Sequence, residues 1–183
     1  MRHTSRNRFG ALAAATLLAG AGAVMTTGTP AYASAPAAPL AGVFHPIKNV
    51  GNNKCLQPAG GSTGEVAIVQ SACTGALAQQ WQFLKVTNSG YHLINQLSGL
   101  CMYMNGPVAA GSPIAQVECT TVSNEEWKST PAPPEIVTLM SRAGHRDTNL
   151  CVDVPGGQAD EGLGVQIFGC NGTLAQRWIA GFQ

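Results

Sequence analysis

Three tryptophans, each at a fixed distance from a pair of cysteines, limit most strongly what this chain can fold into. Cys73 precedes Trp81 by 8 residues, and the same interval separates Cys119 from Trp127 and Cys170 from Trp178. Each of these cysteines has a partner upstream: Cys55 by 18 residues, Cys101 by 18 and Cys151 by 19. Two positions before each tryptophan stands an amide or an acid, namely Gln79, Glu125 and Gln176. Successive tryptophans lie 46 and 51 residues apart. Agreement at this many positions defines an internal repeat, one supersecondary unit copied three times.

The three copies are expected at about 43–88, 89–132 and 133–183, and each follows one pattern. An apolar, strand-like segment opens it: VFHPI at 43–47, YHLIN at 91–95 and EIVTLM at 135–140. A cysteine strand follows (CLQP, CMYM, CVDV), then a glycine-rich loop and a second short strand (VAIVQ, PIAQV, GVQIF). No long stretch keeps helical periodicity, and turn residues interrupt every few positions, so the chain is predicted to be all-β. A copy with roughly four short strands is too small to bury a face alone. Three copies share a core around a three-fold axis, and closing the arrangement removes free strand edges. The tryptophans then anchor the core, while the Gln or Glu two positions earlier bonds exposed backbone. Extra residues in the third copy fall before Cys151. Residues 130–135 (TPAPPE) are expected as a proline-stiffened connector and 145–149 as a wider turn.

Six cysteines allow 15 pairings in general, but the repeat register selects Cys55–Cys73, Cys101–Cys119 and Cys151–Cys170. Each bridge would close a loop of about 18 residues, a stabilisation of about 3 kcal/mol in the chain-entropy model. Disulfides fit an export signal at residues 1–33. Arg2, His3, Arg6 and Arg8 give a basic start, 10–24 is a short apolar run, and Ala31-Tyr32-Ala33 is a small-x-small cleavage site. That run is too short and too rich in glycine and alanine to span a membrane. Residues 34–42 (SAPAAPLAG) read as a leader to a secreted, extracellular chain. No C-x-x-C pair occurs and His3, His45, His92 and His145 lack metal-ligand spacing, so neither a metal nor another cofactor is expected.

Without its signal the chain has 7 basic and 9 acidic side chains, a net charge of −2. No basic stripe exists to meet nucleic acid or an anionic membrane. Charged residues make up only 10% of the sequence, which points to a neutral, polar partner read through hydrogen bonds.

The threefold Q-x-W pattern, one cysteine pair per copy and the export signal resemble the ricin-B-type β-trefoil lectins, including carbohydrate-binding modules of secreted bacterial glycosidases. Gln79-Gln80-Trp81 and Gln176-Arg177-Trp178 fit the motif, and Glu125-Glu126-Trp127 departs from it. The resemblance covers 43–183 and implies a β-trefoil with one shallow sugar pocket per repeat. It implies an Asp two residues after the first cysteine to accept from two adjacent hydroxyls, and a Gln or Asn on the next strand. An aromatic two residues before the second cysteine stacks on the sugar ring, and the Q-x-W glutamine, usually preceded by Asn, supports the Asp. A carboxylate suits a vicinal diol, and a ring face offers contact area at low entropic cost.

Carried over, the set falls in the third repeat as Asp153, Gln166, Phe168 and Gln176, with Ala175 in place of the Asn and Asn171 nearby to substitute. The first repeat has Gln57, Ser71 and Ala78 at the Asp, aromatic and Asn positions; the second has Tyr103, Val117 and Glu125, keeping only Asn124. Only the third is expected to bind.

Other readings stand beside this one. Asp153 before Pro155-Gly156-Gly157 could simply finish a turn. A glycosidase needs two facing carboxylates, and Asp160 and Glu161 lie seven and eight residues after Asp153 in a Gly-rich loop that gives no reason to converge on it. His145 and Asp147 lack a nucleophile in a recognisable turn and read as solvated loop residues. Asn171-Gly172-Thr173 matches a glycosylation sequon, a short and weak signal. The expected function is a secreted, non-catalytic lectin domain that binds galactose- or xylose-type sugars or polysaccharides weakly, with any partner glycosidase on a separate chain. The alternative is a protein-interaction or inhibitor β-trefoil that has lost sugar binding.

Overall fold

The computed structural model describes residues 42–121, 123–130 and 136–181. The export signal at 1–33, the leader except its last residue, and the connector after Thr130 lie outside the described residues.

Twelve strands run in chain order: β1 His45–Asn49, β2 Cys55–Pro58, β3 Ile68–Ser71, β4 Gln80–Lys85, β5 Tyr91–Asn95, β6 Cys101–Met104, β7 Ile114–Val117, β8 Trp127–Thr130, β9 Ile136–Ser141, β10 Leu150–Asp153, β11 Gln166–Gly169 and β12 Trp178–Ala180. Among the described residues the remaining regular elements are single 3₁₀ turns, and no helix is long and apolar enough to cross a membrane. All pairings are antiparallel. β1 pairs with β4, β4 with β5, β5 with β8, β8 with β9, β9 with β12, and β12 returns to β1, closing a six-stranded ring. The remaining strands form three hairpins, β2–β3, β6–β7 and β10–β11. Isolated bridges Ala67–Ala115, Val69–Gly164 and Pro113–Gln166 join these hairpins to one another. The chain is a β-trefoil with four strands in each cysteine–tryptophan unit, as the repeat predicts.

Period-two alternation decides which side chains fill the centre. Ile47, Leu93 and Leu139 hold matching positions of β1, β5 and β9, and Leu56, Met102 and Val152 follow the three first cysteines; all are fully buried. Trp81, Trp127 and Trp178 are fully buried among them. An indole N–H left unpaired there would be costly. Each one donates to the carbonyl of the residue after its repeat's first cysteine: Leu56 at 3.0 Å, Met102 at 2.9 Å and Val152 at 3.1 Å. This bond locks the cysteine strand onto the tryptophan strand in every repeat and explains their fixed spacing. The disulfides pair as the register predicts, Cys55–Cys73, Cys101–Cys119 and Cys151–Cys170.

Two residues before each first cysteine the backbone turns left-handed, at Asn53 (φ 64°), Gly99 (φ 72°) and Asn149 (φ 57°). Glycine and asparagine are the residues that tolerate this conformation best. The turn before it spans one hydrogen bond in the first two repeats, Asn53 N–H to Asn49 O and Gly99 N–H to Asn95 O. In the third repeat Thr148 N–H reaches Ser141 O, so the extra residues form a loop over 142–148 with a 3₁₀ turn at Ala143–His145. The wider turn thus begins at Arg142, ahead of the 145–149 span expected from sequence.

Candidate functional site

Asp153 ends β10 directly opposite Gln166 of β11, and its side chain is held from two sides. Gln166 Nε2 donates to Oδ1 at 2.9 Å, and Gln176 Nε2 donates to Oδ2 at 3.1 Å. Gln176 is itself fixed: its amide nitrogen also donates to Gly169 O at 2.9 Å and its Oε1 accepts Asn171 N–H at 2.8 Å. Both carboxylate oxygens take side-chain amides, so the group does not serve merely to cap its own turn. An ionised carboxylate has about four acceptor positions, and each oxygen keeps capacity for a ligand hydroxyl.

That capacity faces a cavity of about 520 Å³. Gly156 and Gly157 follow Pro155 with φ of 61° and 63°, a double left-handed turn that leaves one wall without side chains. Phe168 stands 43% exposed at the rim, two residues along β11 from Gln166, and Asn171 contributes to the same lining. The 3₁₀ turn Leu174–Gln176 supplies Leu174 and Ala175. The structure thus brings Asp153, Gln166, Phe168 and Asn171 to one cavity, with Gln176 behind Asp153.

The other repeats keep the frame and lose the carboxylate. Gln79 donates to Gln57 Oε1 at 2.9 Å and Ala72 O at 2.8 Å, and accepts Thr74 N–H at 2.7 Å. Glu125 accepts from Thr120 N–H at 2.8 Å and Thr120 Oγ1 at 2.7 Å. A carboxylate has no amide hydrogens to give, and Tyr103 stands at the Asp position, opposite Ala115. Burial, and secondarily the charge of Glu65, raise the Tyr103 phenol above its ordinary pKa.

Neither Asp160 nor Glu161 lines the Asp153 cavity. Glu161 accepts from Lys54 Nζ at 2.6 Å, the Ser71 hydroxyl and the Ala72 N–H at 3.0 Å, all in the first repeat. Those bonds, the Lys54 one foremost, lower its pKa to about 2. Asp160 offers its backbone carbonyl to Gln70 Nε2 at 2.9 Å. His145 Nδ1 lies 2.7 Å from Glu126 Oε2, whereas Asp147 bonds Lys128 at 2.5 Å and Arg142 Nε at 3.0 Å. His145 and Asp147 are exposed loop residues whose side chains also join a hydrogen-bonded network. Glu126, nearly fully buried, is its centre and also takes Thr87 Oγ1 and Arg142 Nη1. Glu126, Thr87, His92 and His145 line a second cavity of about 170 Å³. Sequence reading passes over this cluster, because Glu126 is the variable residue of Q-x-W and Arg142 falls in the insertion. His92, Cys101 and Glu125 also converge, with ligand atoms within 4.8 Å of one another, but Cys101 is bonded to Cys119 and offers no thiolate to a metal.

The closed ring and its three hairpins define a β-trefoil whose third repeat holds the cavity lined by Asp153. The family model described as "Ricin-type beta-trefoil lectin domain-like" matches residues 41–117 and 77–146, more than half of the chain. The chain belongs to that family. Both matched stretches end before Asp153. No curated protein sequence matches the chain. Among solved structures, the designed three-fold symmetric protein ThreeFoil superposes with a TM-score of 0.68 at 19% identity, covering 74% of this chain and 95% of ThreeFoil. An exo-β-1,3-galactanase from Clostridium thermocellum gives 0.67 at 25% identity over 74% of this chain, which spans 29% of the enzyme. The Macrolepiota procera ricin B-like lectin, solved with lactose, gives 0.63 at 22% identity, covering 75% and 93% of the two chains.

Proposed function

We propose that this protein is a secreted, non-catalytic carbohydrate-binding domain over about 43–183, and that it binds galactose- or xylose-type sugars, free or within polysaccharides, through its third repeat. The observation that carries this reading is the Asp153 carboxylate, 5% exposed, bonded by Gln166 and Gln176 and opening onto the cavity that Phe168 flanks. The carboxylate accepts two neighbouring hydroxyls, Gln166 and Asn171 add amide contacts, and the Phe168 ring stacks on the apolar sugar face. Similarity to a lectin solved with lactose and to part of a galactanase supports the sugar class. No second carboxylate faces Asp153 among the described residues, so the site holds a sugar without the acid–base pair of a glycosidase.

One pocket without avidity from linked sites gives an affinity around millimolar, about −4 kcal/mol. A glycan array followed by titration of the purified protein tests the reading. Asp153→Ala should abolish binding; unchanged binding, or no glycan bound at all, would sink it. A protein-interaction or inhibitor role is the second reading, favoured by Gln57 and Tyr103 in place of two of the three carboxylates. It expects a secreted protein partner that free sugars do not displace.

A further inference from the structure

We infer that Gln70, a buried residue of the first repeat, is a positioning residue for the third-repeat cavity: it holds the loop whose Gly156–Gly157 turn forms one wall. The inference rests on the sugar-binding reading of that cavity and reaches beyond the residues that line it. Glycine loses more freedom on ordering than any other residue, so a wall built on two of them needs an anchor at each end. One anchor lies within the repeat, where Gly157 N–H donates to Val154 O at 2.9 Å. The other comes from Gln70, fully buried on β3. Its Nε2 donates to Gln158 O at 2.8 Å and to Asp160 O at 2.9 Å. Backbone bonds extend the grip, Gly162 N–H to Gln70 O and Gln70 N–H to Leu163 O, both at 2.9 Å. Asn52 Nδ2 braces the contact by donating to Gln70 Oε1 at 2.7 Å and to Gln158 O at 2.9 Å.

The outer side of the same loop is seated on the first repeat as well. Glu161 accepts from Lys54, the Ser71 hydroxyl and the Ala72 N–H. Ser71 occupies the place where the first repeat would carry its stacking aromatic, so that strand end binds the third-repeat loop instead. A wall already ordered before the ligand arrives does not have to be ordered by it, which strengthens binding. Gln116 holds a different loop by the same contacts. Equally buried, it donates to Ser62 O at 3.2 Å and Gly64 O at 2.6 Å, and it accepts the Ser98 hydroxyl at 2.9 Å. The loop it holds belongs to the first repeat and lends no residue to the Asp153 cavity, which makes Gln116 a matched control.

Titration of the full chain with lactose and with xylo-oligosaccharides, together with amide hydrogen exchange at Gly157, tests this. Gln70→Leu removes both donors and should weaken sugar binding about five-fold while speeding exchange at Gly157. Gln116→Leu should lose about as much stability in thermal melts and leave both readouts at their native values. Glu161→Ala alters the loop's outer seat without touching the core and should weaken binding about two-fold. It decides the matter if Gln70→Leu does not fold. Native affinity or native exchange in Gln70→Leu overturns the inference, as does native affinity in Glu161→Ala where that variant stands in, or an equal loss of binding in Gln116→Leu. In each of these cases binding lost in Asp153→Ala still upholds the site. If neither sugar binds the native chain, the site and this inference fall together.

Discussion

Gln176 donates through Nε2 to Oδ2 of Asp153 at 3.1 Å, and the same nitrogen reaches Gly169 O at 2.9 Å. One amide thus ties the Q-x-W segment, the end of β11 and the site carboxylate together. Gln176→Glu would replace the donor by an acceptor and set two buried carboxylates side by side. We expect loss of sugar binding and destabilisation by about 1–3 kcal/mol, the cost of unpaired buried polar groups. Gln79→Glu makes the matching change beside neutral Gln57 and should leave sugar binding intact. Calorimetric titration and thermal melts of both variants check this; retained binding in Gln176→Glu would remove Gln176 from the site.

The disulfides should contribute almost equally, because the loops they close differ by a single residue, with separations of 18, 18 and 19. Replacing any one pair by alanines should destabilise the fold by about 3 kcal/mol in the chain-entropy model. Denaturant melts of the three double variants measure it. A much larger loss for Cys151–Cys170 alone would show that the bridge holds the sugar-site hairpin rather than only limiting the unfolded chain.

The parts legible in the sequence are those written at constant spacing within one repeat. The Trp178–Val152 bond, the Cys151–Cys170 bridge and the Asp153–Gln166–Gln176 set all recur at fixed offsets or keep the residue types their chemistry needs. What stayed hidden crosses between repeats. Gln70 donates to Gln158 O and Asp160 O in the third repeat, and Gln116 donates to Ser62 O and Gly64 O in the first. At the matching place the third repeat has apolar Ile167, and Ser112 Oγ steadies the facing loop by donating to Pro107 O. Nothing in local spacing announces bonds of this range. The Glu126 cluster was invisible for the same reason: Arg142 and His145 belong to the insertion, and only the closed barrel brings them over the second repeat.

That cluster makes stability depend on acid pH. Burial pushes the Glu126 carboxyl up, but bonds from Thr87 and His145 together with the Arg142 guanidinium outweigh it and hold the pKa below the ordinary 4.5. A carboxyl with a folded pKa below its unfolded one contributes fully above the unfolded value, and loses that contribution as pH falls through the folded one. Glu126→Gln should therefore destabilise the protein by about 1–3 kcal/mol at neutral pH and flatten the loss of stability below about pH 5. Urea melts between neutral and strongly acidic pH decide it; an unchanged slope in the variant would assign the acid sensitivity to other carboxylates.

Phe168 separates binding from folding most cleanly. Its ring is 43% exposed and lies outside the buried core cluster, so Phe168→Ala should change stability by no more than about 0.5 kcal/mol. Sugar affinity should fall about ten-fold, because the proposed site loses the ring face on which the sugar would stack. Phe168→Trp enlarges that face and adds an N–H able to reach a hydroxyl, and should bind more tightly than the native chain. Titration of both variants against one sugar, with melts to confirm folding, gives the answer. If alanine binds as well as phenylalanine, the ring does not stack on the ligand and the sugar sits deeper, against Asp153 and the Gly156–Gly157 wall.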